Sequence, residues 1–401
     1  MKMKIKKSDL ILSLRLELFM LPAGLMDNSI FSYIWYGLLS ISIGIFLLKI
    51  ARRRAQNKFP IIIWLMVLYL GLQACATAVN GGNWIYNLMT LMTVLFLLWF
   101  VEENLKVDFI KTMTCLKNVL LFNILLEIFV YLFMSFSVLD SLQASFVYYG
   151  IWGCLTMALR KSRSQWNYSL IFVSLLYILA TIVRPDIGSN GEKNYEGTFY
   201  VMVFVLLCFD FAINIKAYAI KWFNGIVAFV SIIVLNLIFV FLQIQAQIPG
   251  IRFLFEDILH KDITITGRSG IWSFALGLWY QSPKWGYGTG LAGMQEAGGW
   301  HDFIRTYGPH NQFLYVLLAG GIITFSAYML LIFYVSIKLY KNRKDKMYII
   351  FSIGFFVTYL ELLMTYRTIA ICMPLFAFFA IVTSSYTQKH TLMMKNLSKS
   401  Q

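Results

Sequence analysis

Apolar stretches of about twenty residues recur along the chain, and each is long enough to cross a bilayer. Short polar segments separate them. The pattern predicts twelve spans, at 9–26, 29–49, 59–79, 83–101, 113–135, 139–159, 168–183, 196–216, 221–243, 311–338, 347–366 and 368–387. The first contains Arg15 and Glu17, and the seventh is short and ends at Arg184-Pro185. One long polar, glycine- and tryptophan-rich stretch interrupts the pattern. It divides the chain into an N-terminal transmembrane bundle (1–243), a loop (244–310), and C-terminal spans with a tail (311–401). The expected fold class is an all-α polytopic membrane protein with one large late loop.

Composition agrees. The chain is 59% hydrophobic and only 13% charged, with a mean hydropathy of +0.69, whereas soluble domains carry about 25% charged residues. The net charge of +15 reports topology. The N-terminus, 49–58, 106–117, 160–163, 216–221, 338–346 and the tail are basic and hold 25 of the 34 Lys and Arg. They alternate with near-neutral loops at 80–82, 136–140 and 185–195. Basic loops stay cytoplasmic, so both termini are expected inside and loop 244–310 outside. That loop balances five bases against five acids. It lacks the one-sided basic face of a nucleic-acid binder.

Cys75, Cys115, Cys154, Cys208 and Cys372 lie in or beside spans, without metal-ligand spacing or a disulfide framework. The start reads as a first span rather than a cleaved signal peptide. No repeat at solenoid period appears, and the halves do not resemble each other as in many secondary transporters.

Loops on a rigid scaffold commonly carry function, so candidate chemistry is sought in 244–310. Apolar residues Ile271, Trp272, Ala275, Leu276, Leu278 and Trp279 recur at helical spacing. They predict an amphipathic helix over 270–281, capped by Ser269 and lying in the membrane interface. Ser282-Pro283 ends it. The turn Trp285-Gly-Tyr-Gly-Thr-Gly290 follows, and its glycines Gly286 and Gly288 can bring backbone N–H groups close to an anion. The alternative is a plain flexible loop. No Gly-Lys-Ser/Thr ending marks a nucleotide P-loop.

A physical constraint narrows the reaction. Outside the cytoplasmic membrane, nucleotide donors are absent, so a synthetic reaction needs a substrate activated beforehand, such as a lipid-linked pyrophosphate. Arginine matches a pyrophosphate with its planar, permanently charged fork. Arg184, Arg268, Arg305 and Arg367 are all expected near the outer face, where the competing role is pairing with acids. His310 follows Gly308-Pro309 at the start of the tenth span. A helix N-terminus disfavours imidazolium, so its neutral ring is poised to accept a proton. Asn311 can orient it or bind a sugar hydroxyl. His301, beside Asp302, is expected to be an exposed loop residue. Trp272, Trp285, Tyr287 and Trp300 are either flat surfaces for sugar rings or interfacial anchors. Ionisable groups inside spans are functional candidates by default. Glu361 lies near Arg367 in the outer half of span eleven, Glu127 is mid-span, and Asp210 is near the cytoplasmic end.

The order Gly267-Arg268-x-x-x-Trp272, Pro283-x-x-Gly286-x-Gly288, His310-Asn311 and Gly320-Gly321-Ile322 resembles the O-antigen ligase and polysaccharide polymerase (Wzy-type) superfamily. The resemblance covers about residues 260–335; the N-terminal half matches only in hydropathy. It implies an inverting GT-C-like glycosyltransferase of the bacterial cytoplasmic membrane. Such an enzyme needs no metal or other cofactor, and moves glycans from undecaprenyl pyrophosphate to an acceptor hydroxyl. Catalytic roles carry over to Arg268 and His310. Arg184 is the best match to an earlier family arginine, although Val-Arg-Pro stands where Ser-Arg-Gly is usual. A late family carboxylate corresponds loosely to Glu361. Donor and acceptor would be undecaprenyl-pyrophosphate-linked oligosaccharides, with a chain-length regulator and a flippase as partner proteins. The motifs do not separate a polymerase of repeat units from a ligase onto lipid A core; polymerase is favoured. A lipid-linked oligosaccharide flippase is the alternative of a different class.

Overall fold

The computed structural model describes residues 60–133, 222–258, 267–295, 298–365 and 373–384, with Gly37, Ser40, Ile41 and Gly44. Arg15, Glu17, Arg184, Asp210 and Arg367, the expected span 9–26, all but four residues of 29–49, and the spans expected between 139 and 216 lie outside the described residues.

The described residues are helical throughout, with no strand. In chain order the α-helices of eight residues or more are α1 (Ile61–Val79), α2 (Trp84–Val107), α3 (Phe109–Phe133), α4 (Gly225–Asn236, continued by a π turn Leu237–Phe241), α5 (Arg268–Gln281), α6 (Trp300–Tyr307), α7 (Gln312–Lys341), α8 (Lys346–Met364) and α9 (Met373–Thr383). Five of them, α1, α2, α3, α7 and α8, are long and apolar enough to cross a membrane. This is a helical membrane protein. The spans expected at 59–79, 83–101, 113–135, 311–338 and 347–366 correspond to these five helices. The ninth expected span, 221–243, is the shorter Gly225–Phe241 helix, at the lower limit of spanning length.

Helix α7 is the hub, packing on α1, α4, α5, α8 and α9. A large core holds Met66, Tyr69, Leu116, Tyr328, Phe355 and Phe379. At the interior of this core the Tyr328 and Tyr359 hydroxyls are 3.0 Å apart. A buried hydroxyl is costly without such a partner.

The packing sorts the loops into two ends. Gly225, at the start of α4, lies against the Ser336 carbonyl and Leu339 of α7, next to the basic turn 338–346. One helix length away, the near-neutral turn after α1 meets the polar loop, where the Asn80 side-chain amide donates to the Gly286 carbonyl at 3.2 Å.

Helix α7 has 30 residues, about 45 Å at 1.5 Å each, longer than a ~30 Å hydrocarbon core. It is broken at Gly321 (φ 64°, ψ −171°). A straight helix would bond the Ile322 N–H to the Leu318 carbonyl. Here the loop backbone inserts between them: the Tyr287 N–H donates to the Leu318 carbonyl (2.7 Å), and the Ile322 N–H donates to the Pro283 carbonyl (2.9 Å). Backbone groups at membrane depth must be satisfied internally, and this insertion satisfies both. Residues 312–321 are all buried. The segment before the break is thus part of a packed assembly with the loop, and the twenty residues after it suffice to span.

Candidate functional site

The site region is a second apolar cluster at the neutral end. It joins Phe239 and Val240 after α4, Ile271, Trp272, Ala275 and Leu278 of α5, Tyr287 and Leu291 of the turn, Ile304 of α6, Leu314, Tyr315 and Leu317 to Ala319 of α7, and Leu363 of α8. Helix α5 starts at Arg268 because Gly267, in the left-handed region at φ 80°, serves as its N-cap. Ser269 is inside the helix, so the expected serine cap is corrected. Trp272 is fully buried, which rules out the sugar-platform and interface-anchor roles alike. The apolar face of α5 is turned against α7 and the protein interior rather than toward lipid. The Trp272 indole N–H has no hydrogen-bond partner among the described residues.

The glycine turn also has a different role from the one expected. Gly286 and Gly288 are buried with φ of 63° and 80°. A Cβ at Gly286 would strike the Leu318 carbonyl, and one at Gly288 would lie 3.0 Å from Thr77 Cα. The glycines permit close backbone approach to α7 and α1 rather than offering an open nest. Thr289 completes the junction: its N–H donates to Thr77 Oγ1 at 3.0 Å, its hydroxyl accepts from Gln73 Nε2 at 3.2 Å, and Asn87 Nδ2 donates to Thr77 Oγ1 at 2.6 Å. This buried polar seam was missed in the sequence, although Gln73, Thr77 and Asn80 recur at helical spacing within an apolar span.

His310 is half-buried just before α7, and its φ of 47° is left-handed. Such a conformation costs a non-glycine residue about 1–2 kcal/mol, and strain of this kind concentrates at functional sites. Its ring lies 6.0 Å from that of Phe303 on α6. Asn311, fully buried, is the N-cap of α7. Its Oδ1 accepts from the Leu314 N–H at 2.9 Å, and its Nδ2 donates to Asn236 Oδ1 (2.9 Å) and the Leu363 carbonyl (3.0 Å). Its polar atoms are thereby engaged by α4, α7 and α8, which suits the positioning role, one of the two expected for it. Asn236, a buried amide in an apolar helix, was the overlooked partner.

Glu361 is buried on α8, and its Oε1 accepts from the Thr365 hydroxyl at 3.0 Å. It sits two residues before Leu363, whose carbonyl accepts from Asn311, on the helix that meets α7 at this end. Arg268, half-buried, opens α5, whose next turn enters the same apolar cluster. Arg305 is engaged in the loop: Nη2 donates to the Met294 carbonyl at 2.8 Å, and Nη1 lies 3.5 Å from Asp302 Oδ1. It fastens residue 294 to α6. Arg252, exposed, pairs with Glu256 at 2.7 Å. The hydrogen bond to Glu256, then that residue's charge, raise the Arg252 pKa further above its usual value. Among the described residues, no group of three or more His, Cys, Asp or Glu could hold a metal ion.

His301 departs from expectation. It lies on α6, an eight-residue helix, half-buried with its ring edge-on to Phe274 at 5.0 Å. It also lines a cavity of about 270 Å³ with Leu278, Gln281, Tyr287, Gly293, Met294 and Gln295.

No protein-family model matches the chain, and no curated protein matches it.

Proposed function

We propose that the chain is a membrane glycosyltransferase that polymerises lipid-linked oligosaccharide repeat units for a cell-surface polysaccharide. In this reading it has twelve spans, a GT-C-like architecture and cytoplasmic termini in a bacterial cytoplasmic membrane, with the polar loop outside. The motif order and charge alternation support it. The observation that carries the reading is His310, a histidine held in a strained left-handed backbone and fixed by the ties of its neighbour Asn311 to α4 and α8. A ring fixed in place is what a proton acceptor needs, because a general base must meet its proton at hydrogen-bond distance.

The acceptor hydroxyl oxygen attacks the anomeric carbon of the donor from the face opposite the pyrophosphate. The new C–O bond forms as the old one breaks, and undecaprenyl pyrophosphate departs with the electron pair. His310 takes the hydroxyl proton. Arg268, with Arg184, neutralises the charge that grows on the leaving group. Glu361 and Arg367 are assigned as an outer-face pair supporting the arginines. The reaction needs no metal in this scheme, since guanidinium groups supply the countercharge.

Vesicles holding the purified protein and undecaprenyl-pyrophosphate-linked repeat units test the reading. The glycan should lengthen, in EDTA as well as without it. Transport of the lipid-linked units across the bilayer without lengthening would identify a flippase instead. Lengthening that EDTA stops and Mg²⁺ or Mn²⁺ restores would replace the arginine scheme with a metal-dependent one.

A further inference from the structure

The cavity beside α5 and α6 is the feature that the catalytic scheme leaves unused. We infer that it is a subsite for one sugar residue of the substrate glycan, built by Gln281, Gln295 and His301; this rests on the glycosyl-transfer reading above. Its size is the first reason. About 270 Å³ is slightly below the roughly 300–1,000 Å³ of pockets that enclose a whole drug-sized ligand, which suits one ring of a longer chain.

The chemistry of the wall is the second reason. Among the described residues that line it there is no Lys, Arg, Asp or Glu, and none of them would recognise a pyrophosphate. Two primary amides, an imidazole and a phenol do line it. Side-chain amides donate and accept together, which matches neighbouring hydroxyls on a sugar ring. The two amides have capacity to spare. The Gln295 side chain makes no hydrogen bond among the described residues, and Gln281 has a single contact, its Oε1 lying 3.4 Å from the Tyr287 hydroxyl. Tyr287 donates its own proton to the Leu278 carbonyl at 2.8 Å, which fixes its ring in the wall. Gln281 and Gln295 are exposed at the rim, so a ligand can reach them. A lipid chain would desolvate both amides without pairing them, which is unfavourable.

The location is the third reason. A continuous run of ring contacts links the cavity wall to the proposed base: His301 on Phe274, Phe274 on Trp300, Trp300 on Phe303, and Phe303 on His310, with centroids 5.0 Å, 6.1 Å, 5.6 Å and 6.0 Å apart. Trp300 is 48% exposed, which leaves a face for an intervening sugar. The cavity is also held open by design: Arg305 fastens the Met294 carbonyl to α6, fixing the strand of loop that carries Gln295. Arg305 is thus a positioning residue for the subsite.

The probe is the repeat-unit oligosaccharide released from its lipid by mild acid hydrolysis of the lipid-linked pool of the cells that make the protein. Binding to the full chain in nanodiscs is measured by calorimetry. The wild-type protein should bind it, although the probe lacks pyrophosphate. Gln281→Leu and Gln295→Leu should each raise Kd about two- to tenfold, the effect of one lost hydrogen bond. Gln295→Trp, which fills the cavity, should abolish binding while the thermal midpoint holds. Wild-type protein that does not bind the probe, or variants that bind it unchanged, would overturn the subsite. Glutamine-dependent binding by a protein that never lengthens glycans would uphold the subsite and remove the polymerase reading.

Discussion

Placing a methyl group at Gly286 tests the junction between the loop and the broken helix. Two costs arise. Gly286 has φ +63°, and the left-handed region costs an L-residue about 1–2 kcal/mol. The new Cβ would also strike the Leu318 carbonyl and lie 2.8 Å and 2.9 Å from the Gly321 and Gly320 nitrogens. All three are backbone atoms that no rotamer change can move aside, and overpacking of this kind adds about 1–3 kcal/mol. Gly290 supplies the internal control, with φ +68° and nothing within 4 Å of an added Cβ. Gly290→Ala should therefore carry only the backbone cost, and Gly286→Ala about 2–5 kcal/mol in all. Thermal unfolding of the full chain in nanodiscs should rank them wild type, Gly290→Ala, Gly286→Ala. Hydrogen exchange should speed up at Tyr287 and Ile322 only in the last. Equal midpoints for the two variants, with unchanged protection at Ile322, would refute the insertion of the loop into α7.

Three further outcomes follow from the same geometry. Arg268→Lys should lose nearly as much polymer synthesis as Arg268→Ala, because lysine keeps the charge and loses the bidentate fork; full activity of the lysine variant in a membrane polymerisation assay would leave a point-charge role. His310→Gly should unfold no more easily than wild type, since glycine adopts φ 47° without strain, yet lose about 10²- to 10⁴-fold in rate; normal rate would remove the base assignment. Gly298→Cys, at an exposed loop position, should react with a membrane-impermeant thiol reagent in intact cells, and labelling only after lysis would reverse the orientation.

Much of the membrane architecture was legible because long apolar runs bounded by polar turns admit few alternatives. The expected span 59–79 appears as Ile61–Val79 and 347–366 as Lys346–Met364. The break at Gly321 was not legible. Glycine is apolar enough to sit inside a hydrophobic run, and its left-handed backbone is imposed by a turn 35 residues earlier in the chain, counting from Gly286. Trp272 was misjudged for a related reason: helical spacing identifies an apolar face but not what covers it. Helix α6 was overlooked although Trp300, Phe303, Ile304 and Tyr307 follow the helical repeat. That repeat was the available signal for His301 and the cavity. At the candidate site, the sequence singled out His310 and Asn311 correctly as neighbours of a helix start. It did not foresee that Asn311 would be engaged by Asn236 and Leu363, since those ties join helices far apart in the chain.

The central claim is glycosyl transfer at the neutral end of the helical bundle, with His310 as proton acceptor. Its most direct measurement uses proteoliposomes with undecaprenyl-pyrophosphate-linked repeat units, following glycan length and released undecaprenyl pyrophosphate together. The account predicts one undecaprenyl pyrophosphate released for each repeat unit added by the wild-type protein, and neither product with His310→Ala. Units that remain at their original length with wild-type protein, or equal synthesis by His310→Ala, would contradict it.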